Sequence, residues 1–134
     1  MSTFARVVPL LVYSEIPQAH DFLVNAFGFE SAGVDFDRQG RAVHAEVRAG
    51  ATSIWLHRVT DEHRLASPLT GAAGSGLVVF VDDVDAHHER AKAAGAAIES
   101  APQDMPYGQR EYGARDPEGH RWWFAAPLPV ATSS

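Results

Sequence analysis

GLVVFVDDVDAHHERAKAAG, residues 76–95, has the pattern of a strand, a tight turn and an amphipathic helix. Residues 77–81 form a short apolar, β-branched run, which predicts a buried strand. Asp83 can cap the following helix by accepting hydrogen bonds from its free amide groups, and Gly95 predicts a left-handed stop. The predicted packing face of the helix carries Val84, His88, Ala91 and Ala94.

The same unit occurs near the start of the chain. SEIPQAH, residues 14–20, aligns with DDVDAHH, residues 82–88, at a constant shift of 68 positions. Residues 7–13 predict the corresponding strand, Ser14 is placed to cap the helix, and Gly28 is placed to end it. We therefore expect a tandem repeat.

Three further strands are predicted after each helix. They cover residues 29–36, 41–48 and 52–57 in the first repeat, and residues 96–99, 110–114 and 120–125 in the second. The pattern predicts an α+β fold in which two tandem βαβββ modules form a curved, half-open mixed-sheet barrel around a groove. Within this single domain we expect module one at 5–58, a linker at 59–75, module two at 76–126 and a tail at 127–134.

Composition excludes several classes of function. A net charge of -6 without any basic cluster argues against a nucleic-acid partner. The absence of cysteine excludes a disulfide framework, a thiolate nucleophile and a cysteine-based zinc site. No apolar run is long enough to cross a bilayer and no signal peptide is apparent, so we expect a cytoplasmic protein without a membrane partner. Hydrolase and nucleotide-binding motifs are also absent.

Four stretches resemble the glyoxalase/bleomycin resistance protein/extradiol dioxygenase superfamily, also called the vicinal oxygen chelate proteins. They are VVPLLVYSEIPQAHDFLVNAFGF, VHAEVRAG, VVFVDDVDAHHERAKAAGA and PYGQREYGARDPEGHRWWF. The resemblance covers most of the chain from Val7 to Phe124 and is greatest to a glyoxalase-like bacterial branch. It implies the paired βαβββ fold, and it implies a homodimer because many relatives build their groove between subunits.

The resemblance also implies where a metal would lie. Metal-dependent members place a divalent ion in the groove, with one ligand on the first strand and one on the last strand of each module, usually His, Gln or Glu. The corresponding positions in this chain are Val8, Trp55, Gly76 and Trp123. None of these side chains offers the carboxylate oxygen or imidazole nitrogen that such a cation needs, so we expect no metal cofactor.

Replacement of two ligands by Trp55 and Trp123 predicts an aromatic-lined groove. Such a groove suits a flat or cationic organic molecule, and similar family members sequester antibiotics without transforming them. The predicted ligand is therefore an antibiotic or a toxic metabolite. Alternatively, the two indoles fill the cavity, and the protein is an interaction module with a filled groove.

A second alternative is a metal-dependent lyase, isomerase or dioxygenase with recruited ligands. His44 and Glu46 share one side of their predicted strand, and His57 has the strand parity of Trp55. A histidine and a carboxylate that converge on a groove can act as base and acid, or bind a metal. Against this, alternate residues of a strand commonly face solvent.

Tyr107 and Arg110 complete the candidate ligand-binding residues, because they lie in the family's closing loop and strand. The Arg110 guanidinium offers a planar, two-pronged donor for a carboxylate or phosphate. The alternative is a salt bridge from Arg110 to Asp116 or Glu118. Asp116 and Gly119 belong to the predicted turn DPEG and are assigned no chemistry. His87 and His88 are assigned to the helix, not to a ligand site.

Overall fold

The computed structural model describes residues 3–62 and 64–129, which form two βαβββ modules. Module one contains β1 (Leu10–Tyr13), α1 (Ile16–Asn25), β2 (Glu30–Phe36), β3 (Ala42–Ala49) and β4 (Thr52–Arg58). Module two contains β5 (Gly76–Phe80), α2 (Val84–Ala93), β6 (Ala97–Asp104), β7 (Gln109–Arg115) and β8 (Arg121–Pro127). A short 3-10 turn, Pro68–Thr70, lies between the modules. The predicted α+β fold of two tandem modules is confirmed, while most of the predicted tail lies outside the described residues.

The sequence repeat is also a structural repeat. The helices Ile16–Asn25 and Val84–Ala93 are displaced by the same 68 positions at both ends. Strand register follows the same rule, because Leu10 pairs with Trp55 in module one and Val78 pairs with Trp123 in module two. Each tryptophan therefore has the same place in its own sheet.

Each module has its own four-stranded sheet. The strand orders are β1-β4-β3-β2 and β5-β8-β7-β6, with the first pair of each sheet parallel and the others antiparallel. β1 and β5 are edge strands. α1 packs on β2, β3 and β4, and α2 packs on β6, β7 and β8. We call the side of each sheet opposite its helix the open face.

The two helices begin differently. Asp83 caps α2 as predicted, since its Oδ1 accepts a hydrogen bond from the Ala86 amide at 3.0 Å. The predicted cap at Ser14 is wrong, because the N-cap residue of α1 is Glu15 and no side chain of its own caps the helix. The Glu118 carboxylate of module two instead accepts from the Ser14 and Glu15 amides at 2.7 and 2.8 Å.

Both helices end near a left-handed glycine, as predicted. Gly28 has φ +82° and Gly95 has φ +92°, a region that is costly for residues with a Cβ. A Cβ on Gly28 would lie 2.9 Å from Nη1 of Arg90. Arg90 belongs to α2, and its Nε donates to the Asn25 carbonyl at 3.4 Å. The end of α1 is therefore in contact with module two.

The modules share one aromatic core. Trp122 and Phe124 of β8 are both 0% exposed. Phe27, at the end of α1, contacts both rings, with centroid distances of 5.6 Å to Trp122 and 4.8 Å to Phe124. Phe29 lies 5.5 Å from Trp122. Because these rings come from both modules, neither module completes its hydrophobic core alone.

His87 links the two modules within this core. Its Nε2 lies 2.7 Å from the Phe27 carbonyl oxygen, which can only accept, so Nε2 carries the proton. Nδ1 then accepts from the Tyr112 hydroxyl at 2.5 Å. Burial lowers the pKa of His87, and the nearby Arg90 charge lowers it further. His87 is thus a half-buried, neutral connector between the modules, a role that its assignment to the helix did not predict.

The predicted turn DPEG contributes a buried polar cluster as well as a turn. Asp116 is 4% exposed and accepts from the Tyr13 hydroxyl at 2.5 Å and from Trp122 Nε1 at 3.1 Å. Its other oxygen accepts the amides that close the turn, as predicted for Asp in this motif. Glu118 is 5% exposed and accepts from the Ser67 hydroxyl at 2.5 Å. The cluster therefore connects β1, the linker and the β7–β8 turn.

Two predicted strands have different lengths in the structure. β1 begins at Leu10 instead of residue 7. β6 continues to Asp104, beyond residue 99, where the predicted strand ends, and only a short turn separates it from β7. β6 is the edge strand of its sheet, where proline is tolerated and pairing with β7 extends the strand. Among the helices of the described residues, none is long and apolar enough to span a membrane.

Candidate functional site

Four predicted site residues lie together on the open face of module one. The opposite, helix-covered face carries the buried residues Ala45, Val47, Ile54 and Leu56. Strand alternation then places the intervening side chains on the open face: His44, Glu46, Trp55 and His57. His44 pairs directly with His57, and Glu46 pairs with Trp55. The proximity inferred from parity is therefore present in the structure.

The histidines of this face have defined contacts. The His44 ring packs edge-on against Trp55 at a centroid distance of 5.5 Å. Nδ1 of His44 lies 3.3 Å from Oδ2 of Asp35 on β2, an exposed ion pair when the histidine is protonated. Nδ1–H of His57 donates to the Arg58 carbonyl at 2.7 Å. These contacts place the His44 ring beside the indole and orient the His57 ring toward the backbone of its neighbour.

Glu46 is held as a carboxylate on the same face. It accepts from the Ser53 hydroxyl at 2.9 Å and from Nε of Arg48 at 3.0 Å. These two hydrogen bonds are the main reason that the pKa of Glu46 is lowered, and the Trp55 indole adds a smaller contribution. Nevertheless, Nε1 of Trp55 is shielded from solvent and forms no hydrogen bond of normal geometry with the described residues. An unsatisfied buried donor therefore lies next to an ionised carboxylate.

On the open face of module two, Trp123 lies across two glycines. A Cβ on Gly76 of β5 would come within 2.4 Å of Cζ3 of Trp123. A Cβ on Gly113 of β7 would lie 3.2 Å from Nε1 of the same indole and 2.9 Å from Oγ of Ser100. The ring is half-buried because both neighbouring strands lack a side chain beneath it.

A charged group lies over the Trp123 ring, and the sequence analysis missed it. Cζ of Arg121 is 5.2 Å from the ring centroid, a cation–π contact. Nε of Arg121 is 2.5 Å from Oε1 of Glu99, and Nε of Arg115 is 3.4 Å from Oε2 of the same carboxylate. Strand parity could have revealed this contact, because Arg121 and Trp123 are two positions apart on one predicted strand and therefore lie on the same face.

The remaining two candidates lie on different faces. Tyr107, 61% exposed, donates a short hydrogen bond to Glu111, and Gln109 donates to the same carboxylate at 3.0 Å. The hydrogen bond from Tyr107 raises the pKa of its phenol. Arg110 lies on the helix-covered side of β7.

Arg110 is paired with two carboxylates. Its guanidinium donates to Asp85 of α2 at 2.9 and 3.1 Å and to Asp104 at 2.9 Å. These contacts raise the pKa of Arg110. The predicted salt bridge to Asp116 or Glu118 is wrong in its partners, because α2 packs over β7 and brings Asp85 to the guanidinium.

The four positions that the family resemblance implies for metal ligands lie on the first and last strands of the modules or next to them. Val8 precedes β1, Gly76 begins β5, and the tryptophans lie on β4 and β8. Throughout residues 3–62 and 64–129, no three His, Cys, Asp or Glu side chains are grouped so that they could hold a metal ion. His44, Glu46 and His57 share a face without forming such a group.

Several surface cavities of the chain lie away from the two indoles. Five surface cavities have volumes from about 230 to about 660 Å³, and neither Trp55 nor Trp123 lines any of these five. The cavity of about 660 Å³ is bounded by the linker, β6 and the β7–β8 turn, and Glu99, Arg115 and Arg121 line it. It therefore borders the charged group that lies over Trp123.

Comparison with known proteins places these features in a family. The family model of the glyoxalase/bleomycin resistance protein/dioxygenase superfamily matches residues 3–124. An uncharacterized protein of Mycobacterium bovis is 31% identical over 124 residues, which is 90% of this chain and 82% of that protein.

Solved structures agree with the family model. TioX from Micromonospora sp. ML1 has a TM-score of 0.75 and 33% identity, over 93% of this chain and 100% of that one. TnmS3, an antibiotic binding protein from Streptomyces sp. CB03234, has a TM-score of 0.70 and 27% identity, over 95% and 99% of the two chains. The chain belongs to the glyoxalase/bleomycin resistance protein/dioxygenase superfamily.

Proposed function

We propose that this protein binds a flat small organic molecule, an antibiotic or a toxic metabolite, against its open-face tryptophans and without a metal. The observation that carries the proposal is the equivalence of Trp55 and Trp123, two half-buried indoles at the same register position of the two modules. By the family resemblance, both tryptophans stand at positions where metal-dependent relatives have a metal-binding side chain. Stacking on an indole contributes about 0.5–1.5 kcal/mol beyond burial, so two such contacts supply useful affinity.

The surroundings of Trp55 support a polar ligand contact. Its Nε1 is shielded from solvent and lacks a hydrogen bond of normal geometry within the described chain. Its contact with the Glu46 carboxylate is weak, and a ligand oxygen that reached this donor would supply a hydrogen bond of normal geometry. TnmS3, whose description is that of an antibiotic binding protein, shares 27% identity over nearly the whole chain.

A homodimer in the cytoplasm is part of the proposal. β1 and β5 are edge strands, and β5 presents Val78 and Phe80 with 54% and 60% of their surfaces exposed. Unpaired strand edges with apolar side chains are surfaces that proteins normally cover. A second copy would bring an open face opposite each tryptophan and would close the groove.

Trp123 gives specific support to a second candidate, an interaction module with a filled groove. Its ring is packed across Gly76 and Gly113 and is covered by Arg121. An indole packed in this way fills space and offers less surface to a ligand. The two functions make different predictions for Trp123, because only a binding face changes its environment when a ligand is added.

Tryptophan fluorescence distinguishes them. The chain has three tryptophans, of which Trp122 is fully buried in the core. Bleomycin and an anthracycline are the probes, titrated into the wild type and into the Trp55→Phe, Trp123→Phe and Trp122→Phe variants. Binding predicts saturable quenching that is reduced in Trp55→Phe and Trp123→Phe and retained in Trp122→Phe. Quenching by neither probe, or quenching unchanged in the first two variants, would contradict ligand binding at these faces.

A further inference from the structure

The outer side of Trp123 is occupied by a cation of the protein itself. The indole spans Gly76 and Gly113 on the sheet, and the Arg121 guanidinium lies over it at 5.2 Å. A guanidinium is flat, delocalised and weakly hydrated, so it stacks on an indole as a planar organic cation would. The equivalent position in module one is Ser53, and Trp55 therefore has no such cover.

Arg121 is held over the ring by one carboxylate. Its Nε is shielded from solvent and lies 2.5 Å from Oε1 of Glu99, an ion pair whose geometry is not that of a hydrogen bond. Arg115 shares Glu99 at the longer distance of 3.4 Å. The side chains of Arg121 and Arg115 are 39% and 51% exposed, so both guanidiniums can move into solvent. If the Arg121 side chain moves away, the Glu99 carboxylate remains and can pair with a different cation.

The neighbouring cavity favours a positive charge. It has a volume of about 660 Å³, and its charged lining residues are Glu99, Asp116, Glu118, Arg115 and Arg121. The hydrogen bonds given above for Asp116 and Glu118 come from hydroxyl, indole and amide groups, all of which are neutral. The lining therefore has three carboxylates against two guanidiniums, and two of the three carboxylates are buried and accept no hydrogen bond from a cation of residues 3–62 or 64–129.

We propose that Arg121 occupies the place of a ligand's cation, and that a planar organic cation of the aromatic amidine type displaces it. The ligand's ring system then stacks on Trp123, its cationic group pairs with Glu99, and the cavity receives the displaced Arg121 side chain. This inference rests on the proposed function and specifies its ligand class. Arg121 is then a specificity-determining residue, since only a ligand that replaces both of its contacts competes with it.

The test uses three probes of nearly equal shape and different charge: benzamidine, benzamide and benzoate. Their binding is followed by NMR through the indole N–H resonances, which are assigned with single Trp→Phe variants. In the wild type, benzamidine should shift the Trp123 resonance more than benzamide or benzoate does. In Arg121→Ala, where the internal competitor is absent, benzamidine should bind about two- to tenfold more tightly.

Arg115→Ala is the matched control, because it removes an equal charge from the same carboxylate without uncovering Trp123. It should change benzamidine affinity less than Arg121→Ala does. Adding Glu99→Gln to the Arg121→Ala variant should abolish its higher affinity for benzamidine. The Trp122 resonance, from the buried core, reports whether each variant is folded.

Three results would overturn the inference: weaker benzamidine binding in Arg121→Ala, equal effects of the two arginine variants, or a preference for benzoate that requires Arg121. A further result separates it from the proposed function. If the bleomycin and anthracycline titrations shift the Trp55 resonance while no probe shifts that of Trp123, the proposed ligand binding is supported for module one. The role of Arg121 is then rejected. If no probe shifts either resonance, both proposals are rejected.

Discussion

Trp123 packs on Gly76 so closely that a Cβ at residue 76 would lie 2.4 Å from Cζ3 of the indole. The same Cβ would lie 3.1 Å from the backbone oxygen of Arg121, so relaxation of the side chain alone does not relieve the clash. The family resemblance implies that both residues stand at metal-ligand positions of metal-dependent relatives. On that alignment, module two carries a large ring and a residue without a side chain where those relatives have two ligands.

Gly76→Ala should lower the free energy of unfolding by about 1–3 kcal/mol, the usual cost of inserting a methyl group into a packed site. Urea unfolding followed by circular dichroism measures the change. Gly74→Ala is the control, because a Cβ at residue 74 meets no atom within 4 Å. Trp123→Leu in the Gly76→Ala background should recover part of the loss; strict additivity of the two substitutions would contradict the contact.

Glu118→Gln should destabilise the protein by about 2–4 kcal/mol. The buried carboxylate accepts from the amides of Ser14 and Glu15 and from the Ser67 hydroxyl. The amide of glutamine keeps one acceptor oxygen and replaces the other with an NH2 group, so at least one of these donors loses its acceptor and stays unsatisfied. Glu62→Gln, at an exposed turn, serves as the control. Equal unfolding midpoints for the two variants would show that Glu118 does not connect the modules.

Stability should fall as the pH is lowered through about 6.5, and His87 should account for part of this fall. Burial lowers the pKa of His87 in the folded state below its ordinary value of 6.5. Below that value the unfolded chain binds a proton that the folded chain resists, so the free energy of unfolding decreases. The positive charge of Arg90, on α2, disfavours protonation of His87. The Nδ1 atom that would take the proton already accepts a hydrogen bond from the Tyr112 hydroxyl.

Urea midpoints at pH 7.5 and pH 5.5 measure the effect. His87→Gln should show a smaller difference between the two values than the wild type does. His57→Gln, on the open face, provides a comparison outside the core. An unchanged pH dependence in His87→Gln would mean that the proton is bound elsewhere.

Sedimentation velocity should give a mass close to twice the 14.5 kDa of one chain. Phe80→Glu places a charge on the exposed edge strand β5 and should produce monomers. Leu69→Glu alters a side chain of similar exposure, 61%, in the linker and should leave the mass unchanged. A wild-type monomer at micromolar concentration would reject the dimer.

Metal analysis tests the ligand-position argument. After dialysis the protein should retain only substoichiometric zinc, nickel, manganese or iron, and should take up none when each is added. The reason is chemical, because Val8, Trp55, Gly76 and Trp123 offer neither oxygen nor nitrogen ligands. Stoichiometric uptake, lost in His44→Ala or Glu46→Ala, would instead support the enzymatic alternative.

Much of the site was predictable from strand parity. Strand alternation placed His44 and Glu46 on one side of their predicted strand and gave His57 the parity of Trp55; in the structure His44 pairs with His57, and Glu46 pairs with Trp55. The partners expected for Arg110 were wrong because one of its carboxylates, Asp85, lies on α2, and only the packing of that helix brings it to the guanidinium. The cap of α1 failed for the same reason, since Glu118 lies 103 residues from Glu15.

The sequence by itself determined the two modules, their helices and the chemical character of the ligand positions, because hydrophobic period, turn residues and the internal repeat are local properties. Only the tertiary structure decided how the modules meet, which carboxylates are buried, and that Arg121 lies over Trp123. Such contacts depend on distances between residues far apart in the chain. No local pattern encodes those distances, and packing of the shared core sets them.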